Sequence, residues 1–369
     1  MSRRGNARRA SDAGQRPHRH THGNAAVQHP GRSAGPARYY AQFPAGLSAL
    51  VTASLEADVQ AKLEFSDDSS AMFTSETSVR AIADLPYLKN VFHVLYDVPR
   101  RNLASALESF SAALAEGRLQ LPREANGRPF RLMAHIDGQL APLPKPARTH
   151  LENAIGRAAR ARVEARGLGE EYWIVGRRDL DRFLLARRGP KMTSKTRVPA
   201  GSLAPEVSDL LIRMSEPSKG DRFLDPFGGS HALARARSRY PAASIITSDT
   251  VLSRDADPGD LPRQVVVRCE DARQLPSIED GSVTTIVTDP PWGEYESVDD
   301  LRKFLVATFA SFARVLNPRG SRVVVLMNRR GVGLLLDVAQ EAGFQVVASH
   351  DILVNGHPAT ATLLRPAPA

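Results

Sequence analysis

TDPPWGE, residues 288–294, begins 64 residues after LDPFGGS, residues 224–230, and the pair decides how the C-terminal half folds. In each motif an apolar run ends in an aspartate, then proline, then an aromatic side chain. Proline fixes φ and lacks a backbone N–H, so a strand ladder stops there and the chain turns. Two prolines in succession make a rigid corner whose carbonyls are left to accept hydrogen bonds. Alone, DPP also describes any strand that ends in a proline turn. The partner motif changes that reading, because both lie at strand ends within one alternating pattern.

Around these motifs, strands are expected near 221–225, 244–249, 264–269, 283–289, 321–327, 344–350 and 359–364. Helical spacing appears between them at Leu301, Phe304, Leu305, Phe309 and Phe312, and again at Leu334, Leu335, Val338 and Ala342 before Gly343. Alternation of this kind predicts a seven-stranded, mainly parallel α/β sheet covered on both faces, over residues 201–369. Ligands of such sheets bind outside the carboxyl ends of the strands, where both motifs fall.

The chemistry of those ends follows from residue type. Asp225 closes the first strand, and Phe227, Gly228, Gly229 and Ser230 lead into a helix with backbone amides able to approach a ligand. A carboxylate suits the amides and an ammonium suits Asp225, which fits the methionine part of S-adenosylmethionine. A nicotinamide dinucleotide would want GxGxxG, whereas the stretch here is GGSHAL. Asp249, at the end of the second strand, can accept from two ribose hydroxyls. After the third strand come Glu270, Asp271 and Ala272; EDARQLP puts Asp271 in the loop, so Asp271 is preferred for an adenine amino group. In the corner, Asp289 and the Pro290 carbonyl can hold an exocyclic NH2, with Pro291 stiffening the turn and Trp292 offering a face for a base. Methyl transfer from a sulfonium is an in-line displacement, so alignment rather than a nucleophilic side chain is required. No metal is expected.

The chain has 369 residues and 42% hydrophobic residues, with a single cysteine, Cys269. That excludes an internal disulfide framework and a CxxC site. No apolar run is long enough for a membrane helix, and a cytoplasmic monomer is expected. The charge of +9 is uneven. Residues 1–40 hold eight Arg and one Asp, residues 145–199 hold fourteen Lys or Arg against six acids, and the remainder is net acidic. A basic middle segment is suited to a polyanion. Residues 1–36, rich in Arg, His, Gly and Pro, read as a disordered basic tail.

Two α+β modules are expected next. The first, residues 37–121, has strands at ARYYAQF and LKNVFHVLYDV and helical spacing at Leu47, Leu50, Val51 and Leu55 and at Leu103, Leu107 and Phe110. The second, residues 122–190, has strands at FRLMAH, YWIVGR and DRFLLAR and a helix from about His150 to Arg166. Residues 191–200 read as a polar linker. Arg157, Arg160, Arg187, Arg188 and Lys191 are the candidate contacts for a polyanion such as RNA.

LDPFGGS, Asp249, EDA and TDPPWGE, in that order, resemble the class I amino-methyltransferases. From about Arg38 onward the chain is similar to the THUMP-domain RNA methyltransferases that modify N2 of guanosine, mostly in tRNA. The resemblance implies a ferredoxin-like module, a THUMP module that grips RNA, and a Rossmann-like catalytic domain. It implies S-adenosylmethionine at Asp225, Gly228, Asp249 and Asp271, and guanine at Asp289, Pro290 and Trp292. His231 departs from it, standing where that family usually has glycine; Trp292 stands where Tyr or Phe is commoner. A DNA adenine or cytosine amino-methyltransferase and a non-catalytic RNA-binding homologue remain open on the residues alone.

Overall fold

The computed structural model describes residues 35–164, 169–190, 202–251, 261–292 and 300–368. The basic tail, the linker and Lys191 therefore lie almost wholly outside the described residues.

The first half runs β1 (Ala37–Gln42), α1 (Ser48–Val59), β2 (Lys62–Ser66), β3 (Ser70–Ser75), α2 (Val79–Ala83), β4 (Asn90–Pro99), α3 (Leu103–Ala115), a 3-10 turn at Arg123–Ala125, β5 (Phe130–Ile136), β6 (Gln139–Leu140), α4 (Lys145–Ala159), β7 (Glu170–Arg177) and β8 (Arg182–Arg188). All eight strands form one sheet in the order β2-β3-β1-β4-β8-β7-β5-β6. The two expected modules thus share a sheet, joined where β4 pairs antiparallel with β8. Sequence patterning did not predict this joint, because each strand's apolar run shows that it is buried but not which strand it pairs with.

The α4 helix corrects the expected boundaries of 150 to 166. It starts earlier, with Pro146 in its first turn, where the missing N–H costs nothing. It stops at Arg160, which adopts the left-handed conformation with φ 49°. The helical spacing continues to Val163, but that segment pairs instead with β5: Phe130 N–H donates to the Arg162 carbonyl at 3.0 Å and Glu164 N–H to the Phe130 carbonyl at 2.7 Å. Tertiary pairing overrides the local period.

The second half runs α5 (Pro205–Met214), β9 (Arg222–Asp225), α6 (Ala232–Arg237), β10 (Ser244–Asp249), β11 (Val265–Cys269), β12 (Thr285–Thr288), α7 (Leu301–Val315), β13 (Arg322–Asn328), α8 (Val332–Glu341), β14 (Phe344–Val354) and β15 (His357–Pro366). The seven strands are ordered β11-β10-β9-β12-β13-β15-β14, parallel except for β15, which runs antiparallel to both neighbours. Strand order reverses between β9 and β12, which opens a crevice at their carboxyl ends. Among the described residues no helix is long and apolar enough to cross a membrane.

The two sheets share a core. Leu47, Val51 and Leu55 of the α1 region pack in one cluster with Val207, Leu210 and Leu211 of α5 and with Phe223 and Val324 of the second sheet. Polar groups cross the same boundary. Arg213 of α5 donates to Asp209 at 3.0 Å and to Asp58 of α1 at 2.8 Å, and its guanidinium lies 4.3 Å from the Tyr87 ring centre. Asp209 is fully buried and also accepts from the Tyr240 hydroxyl at 3.0 Å. At the amino-terminal ends of β9 and β13, Asp221 accepts from the fully buried Arg237 at 3.1 Å and from Arg322 at 3.0 Å.

Candidate active site

β9 and β12 are neighbours, so the ends of LDPFGGS and TDPPWGE meet. The contact is direct: Thr288 Oγ1 donates to Asp225 Oδ1 at 2.9 Å. The Phe227 N–H donates to the same oxygen at 3.3 Å. Asp225 is buried, and its Oδ2 has no hydrogen-bond partner among the described residues. Burial, with Asp289 and Asp249 adding like charge, pushes the Asp225 carboxyl up to about 7.

The glycine loop is built on β10. A Cβ on Gly228 would lie 2.2 Å from Thr247 Oγ1, so glycine is needed there for the backbone to approach the strand. Gly229 has φ 45°, a Cβ on it would meet open space, and its N–H donates to Asp249 Oδ2 at 2.9 Å. His231 takes the left-handed backbone expected of the glycine it replaces, with φ 60°. Its ring is buried beneath the loop, with Nδ1 3.4 Å from Thr247 Oγ1. A left-handed backbone at this position is one that glycine adopts without strain, and here the imidazole is accommodated beneath it. Burial holds this imidazole below the usual histidine range, and Arg235 adds to the effect.

After β11, Ala272 is buried and Asp271 is clamped by Arg273, whose Nε donates at 3.0 and 2.9 Å to the two carboxylate oxygens; this pairing lowers the Asp271 pKa. Its neighbour Glu270 keeps a buried Oε2 with no partner among the described residues. Phe227 packs against Phe304 of α7 with ring centres 5.7 Å apart.

In the corner, the Trp292 indole N–H donates to Asp289 Oδ1 at 2.8 Å. That oxygen is therefore already engaged. Asp289 Oδ2 and the Pro290 carbonyl accept no hydrogen bond from the described residues. Desolvation by the surrounding protein pushes the Asp289 carboxyl up to about 7 against the lowering effect of the indole bond. Trp292 is half-buried and packs against apolar residues of two core clusters, so its ring is anchored rather than freely presented. Residues 293–299 of the motif lie outside the described residues.

Thr288 and Asn328 were missed as site residues. Asn328 ends β13, and its amide reaches the Trp292 carbonyl. For Thr288 the signal was its place next to Asp289; for Asn328 nothing in the local sequence marks it.

Two of the candidate RNA contacts are tied up internally. Arg187 pairs with Glu170 at 2.7 Å and Glu124 at 2.9 Å, and Arg188 pairs with Glu171 at 3.0 Å beside the Trp173 ring. Both guanidiniums are thus held by acids of the same half of the chain. Arg157 and Arg160 are exposed at the end of α4, and no ion pair with another described residue engages either.

A family model, UPF0020, described as an RMKL-like methyltransferase domain, matches residues 253–356. The tRNA (guanine(6)-N2)-methyltransferase of Thermus thermophilus is 31% identical over 179 residues, a match that covers 47% of this chain and 50% of that protein. The chain thus spans about half the length of the curated relative it matches. The crystal structure of TrmN from Thermus thermophilus superposes with a TM-score of 0.72 at 19% identity, covering 89% of this chain and 99% of that one. SMU.472, solved in complex with SAH, gives a TM-score of 0.63 at 14% identity, covering 90% and 99%. At such identities the superpositions establish a shared fold, which extends across both sheets.

Proposed function

We propose that this protein transfers a methyl group from S-adenosylmethionine to the exocyclic N2 amino group of a guanosine in tRNA. The observation that carries the reading is the Thr288 to Asp225 hydrogen bond, which brings the ends of the glycine motif and the DPPW corner into one crevice. The relative in Thermus thermophilus with that activity supports the choice of amine and of RNA.

The residues fit the cofactor. Asp225 Oδ2, buried and unpartnered, suits an ammonium, and two carboxyls raised to about 7 suit a site that receives positive charge. Asp249 is assigned to the ribose and Asp271 to the adenine amino group, with Phe227, Gly228, Gly229, Ser230 and Ala272 lining the loop ends. When bound, the sulfonium supplies the methyl group. Asp289 Oδ2 and the Pro290 carbonyl then hold the guanine NH2, direct its nitrogen, and disperse charge as the bond forms. Pro291 keeps the corner stiff, and Trp292 bounds the base. A base within a duplex must first be flipped out.

The raised carboxyls give the cofactor step a pH dependence. Because folding raises these pKa values, the apo protein binds extra protons between about pH 4 and about pH 7 and loses stability as pH rises through that window. The cationic cofactor prefers the ionised form, so its affinity rises by up to about tenfold per unit from about pH 6 toward pH 7 and then levels off. Calorimetry at pH 6 in buffers of different ionisation enthalpy should register proton release; a pH-independent affinity would remove Asp225 from the ammonium site.

RNA docking is assigned to the module of residues 122–190, read as THUMP-like, with Arg157 and Arg160 as phosphate contacts. Replacing both by alanine should weaken tRNA binding and flatten its salt dependence by about two phosphate contacts. Binding measured across a salt series checks this, and an unchanged slope means that both side chains are merely solvated. Competition between unmodified tRNA and duplex DNA as methyl acceptors tests the substrate class. Exclusive labelling of DNA would replace this reading by a DNA amino-methyltransferase.

A further inference from the structure

We infer that Asn328 is a positioning residue for the acceptor corner, holding the DPPW turn to the central sheet through the Trp292 carbonyl. The inference rests on the proposed reading of that corner. Asn328 is the last residue of β13, the strand paired with β12, and its side chain is 6% exposed. Its Nδ2 donates to the Trp292 carbonyl at 2.7 Å, while its Oδ1 accepts from the Gly331 N–H at 2.6 Å. A donor on one side and an acceptor on the other fix which way the amide points. Trp292 in turn donates to Asp289 Oδ1 at 2.8 Å. Three hydrogen bonds in series therefore run from the start of α8 to the carboxylate of the corner.

Turn formation explains only half of this arrangement. An asparagine that accepts from the N–H three residues on closes an ordinary side-chain turn, here just before Gly331 at the start of α8. Such a turn does not require the amide N–H to be aimed at Trp292, 36 residues earlier in the chain. Space around the bond is also restricted. A Cβ on Gly331 would lie 3.1 Å from Asn328 Oδ1 and 2.6 Å from the mobile end of Met327, so a larger residue there would press on the amide. A proline corner has no N–H groups of its own at Pro290 and Pro291 with which to lock itself to the sheet, and Asn328 supplies the missing donor from outside.

Asn328→Asp in the full chain separates the two halves. The aspartate keeps the acceptor for Gly331 N–H. When ionised it has no donor for Trp292, and when protonated its O–H restores one. At about pH 8 kcat for the methyl transfer should fall about 10- to 100-fold, with KM for tRNA and Kd for S-adenosylmethionine within about twofold of wild type. The ratio of variant to wild-type kcat should recover as pH falls. A second readout needs no turnover. The only tryptophans are Trp173 and Trp292, so in a Trp173→Phe background the emission reports the corner. Asn328→Asp should shift it to the red at about pH 8, with reversal on acidification. A kcat ratio near one that is flat with pH, or an unshifted Trp292 emission, would overturn the inference. If the wild-type chain yields no N2-methylguanosine, the functional reading fails, and the emission result still decides the role of Asn328.

Discussion

In Asp289→Ala, methyl transfer is expected to drop by about 10²- to 10³-fold or more, while tRNA affinity stays within about twofold of wild type. The carboxylate supplies an acceptor for the amine that the Pro290 carbonyl cannot replace, since one acceptor fixes one N–H and leaves the nitrogen free to swing. Removing it also takes away a like charge that helps raise Asp225. Cofactor binding should therefore be kept or slightly strengthened near neutral pH, which separates the loss from a collapsed pocket. The indole of Trp292 loses its partner, although apolar packing on two core clusters still holds the ring. Single-turnover kinetics, filter binding of tRNA and a thermal melt make the comparison. Loss of tRNA binding in a folded variant would contradict the separation of docking from chemistry.

Asp221→Ala is expected to have the largest effect on stability, about 3–5 kcal/mol, without touching the site. Asp221 is 3% exposed and accepts from Ser218 N–H at 2.8 Å as well as from Arg237 and Arg322. Arg237 is fully buried; its terminal nitrogens also donate to the carbonyls of Ser218, Tyr240 and Pro241, while its Nε has no partner among the described residues. Without Asp221 this guanidinium keeps its charge in a poorly solvated position, and burial already depresses its pKa. Urea unfolding measures the loss. A change below about 1 kcal/mol would mean that water enters and solvates the arginine. The Asp209 to Arg213 cluster between α1 and α5 is built on the same logic, with an acid buried and satisfied by several donors.

The C-terminal sheet was legible because its signals are local. Most strands from β9 to β13 are apolar runs that end at or beside an Asp, Gly or Pro, and the alternation with helices points to a mainly parallel sheet. The expected ends at 225, 249 and 269 coincide with those of β9, β10 and β11. Residues whose role depends on distant partners were not legible. Arg187 and Arg188 read as a basic cluster, yet the acids that neutralise them, Glu124, Glu170 and Glu171, lie in other elements. Arg160 read as helical until pairing with β5 drew the following segment out of the helix. His231 read as an interruption because sequence shows a side chain but not that the residue adopts φ 60° and points its ring beneath the loop. Asn328 was invisible for the same reason: its partner is 36 residues away. In the corner, sequence shows Asp289 and the Pro290 carbonyl as acceptors but not that the indole N–H of Trp292 takes one oxygen of Asp289 and leaves the other.

The central claim is that the corner holds the N2 amine of guanine in tRNA for methylation. The most direct test incubates the full chain with methyl-labelled S-adenosylmethionine and unmodified tRNA, then digests the RNA to nucleosides and separates them. The account predicts label in N2-methylguanosine and its absence when the Asp289→Ala protein is used; label in N6-methyladenosine or another nucleoside would contradict it.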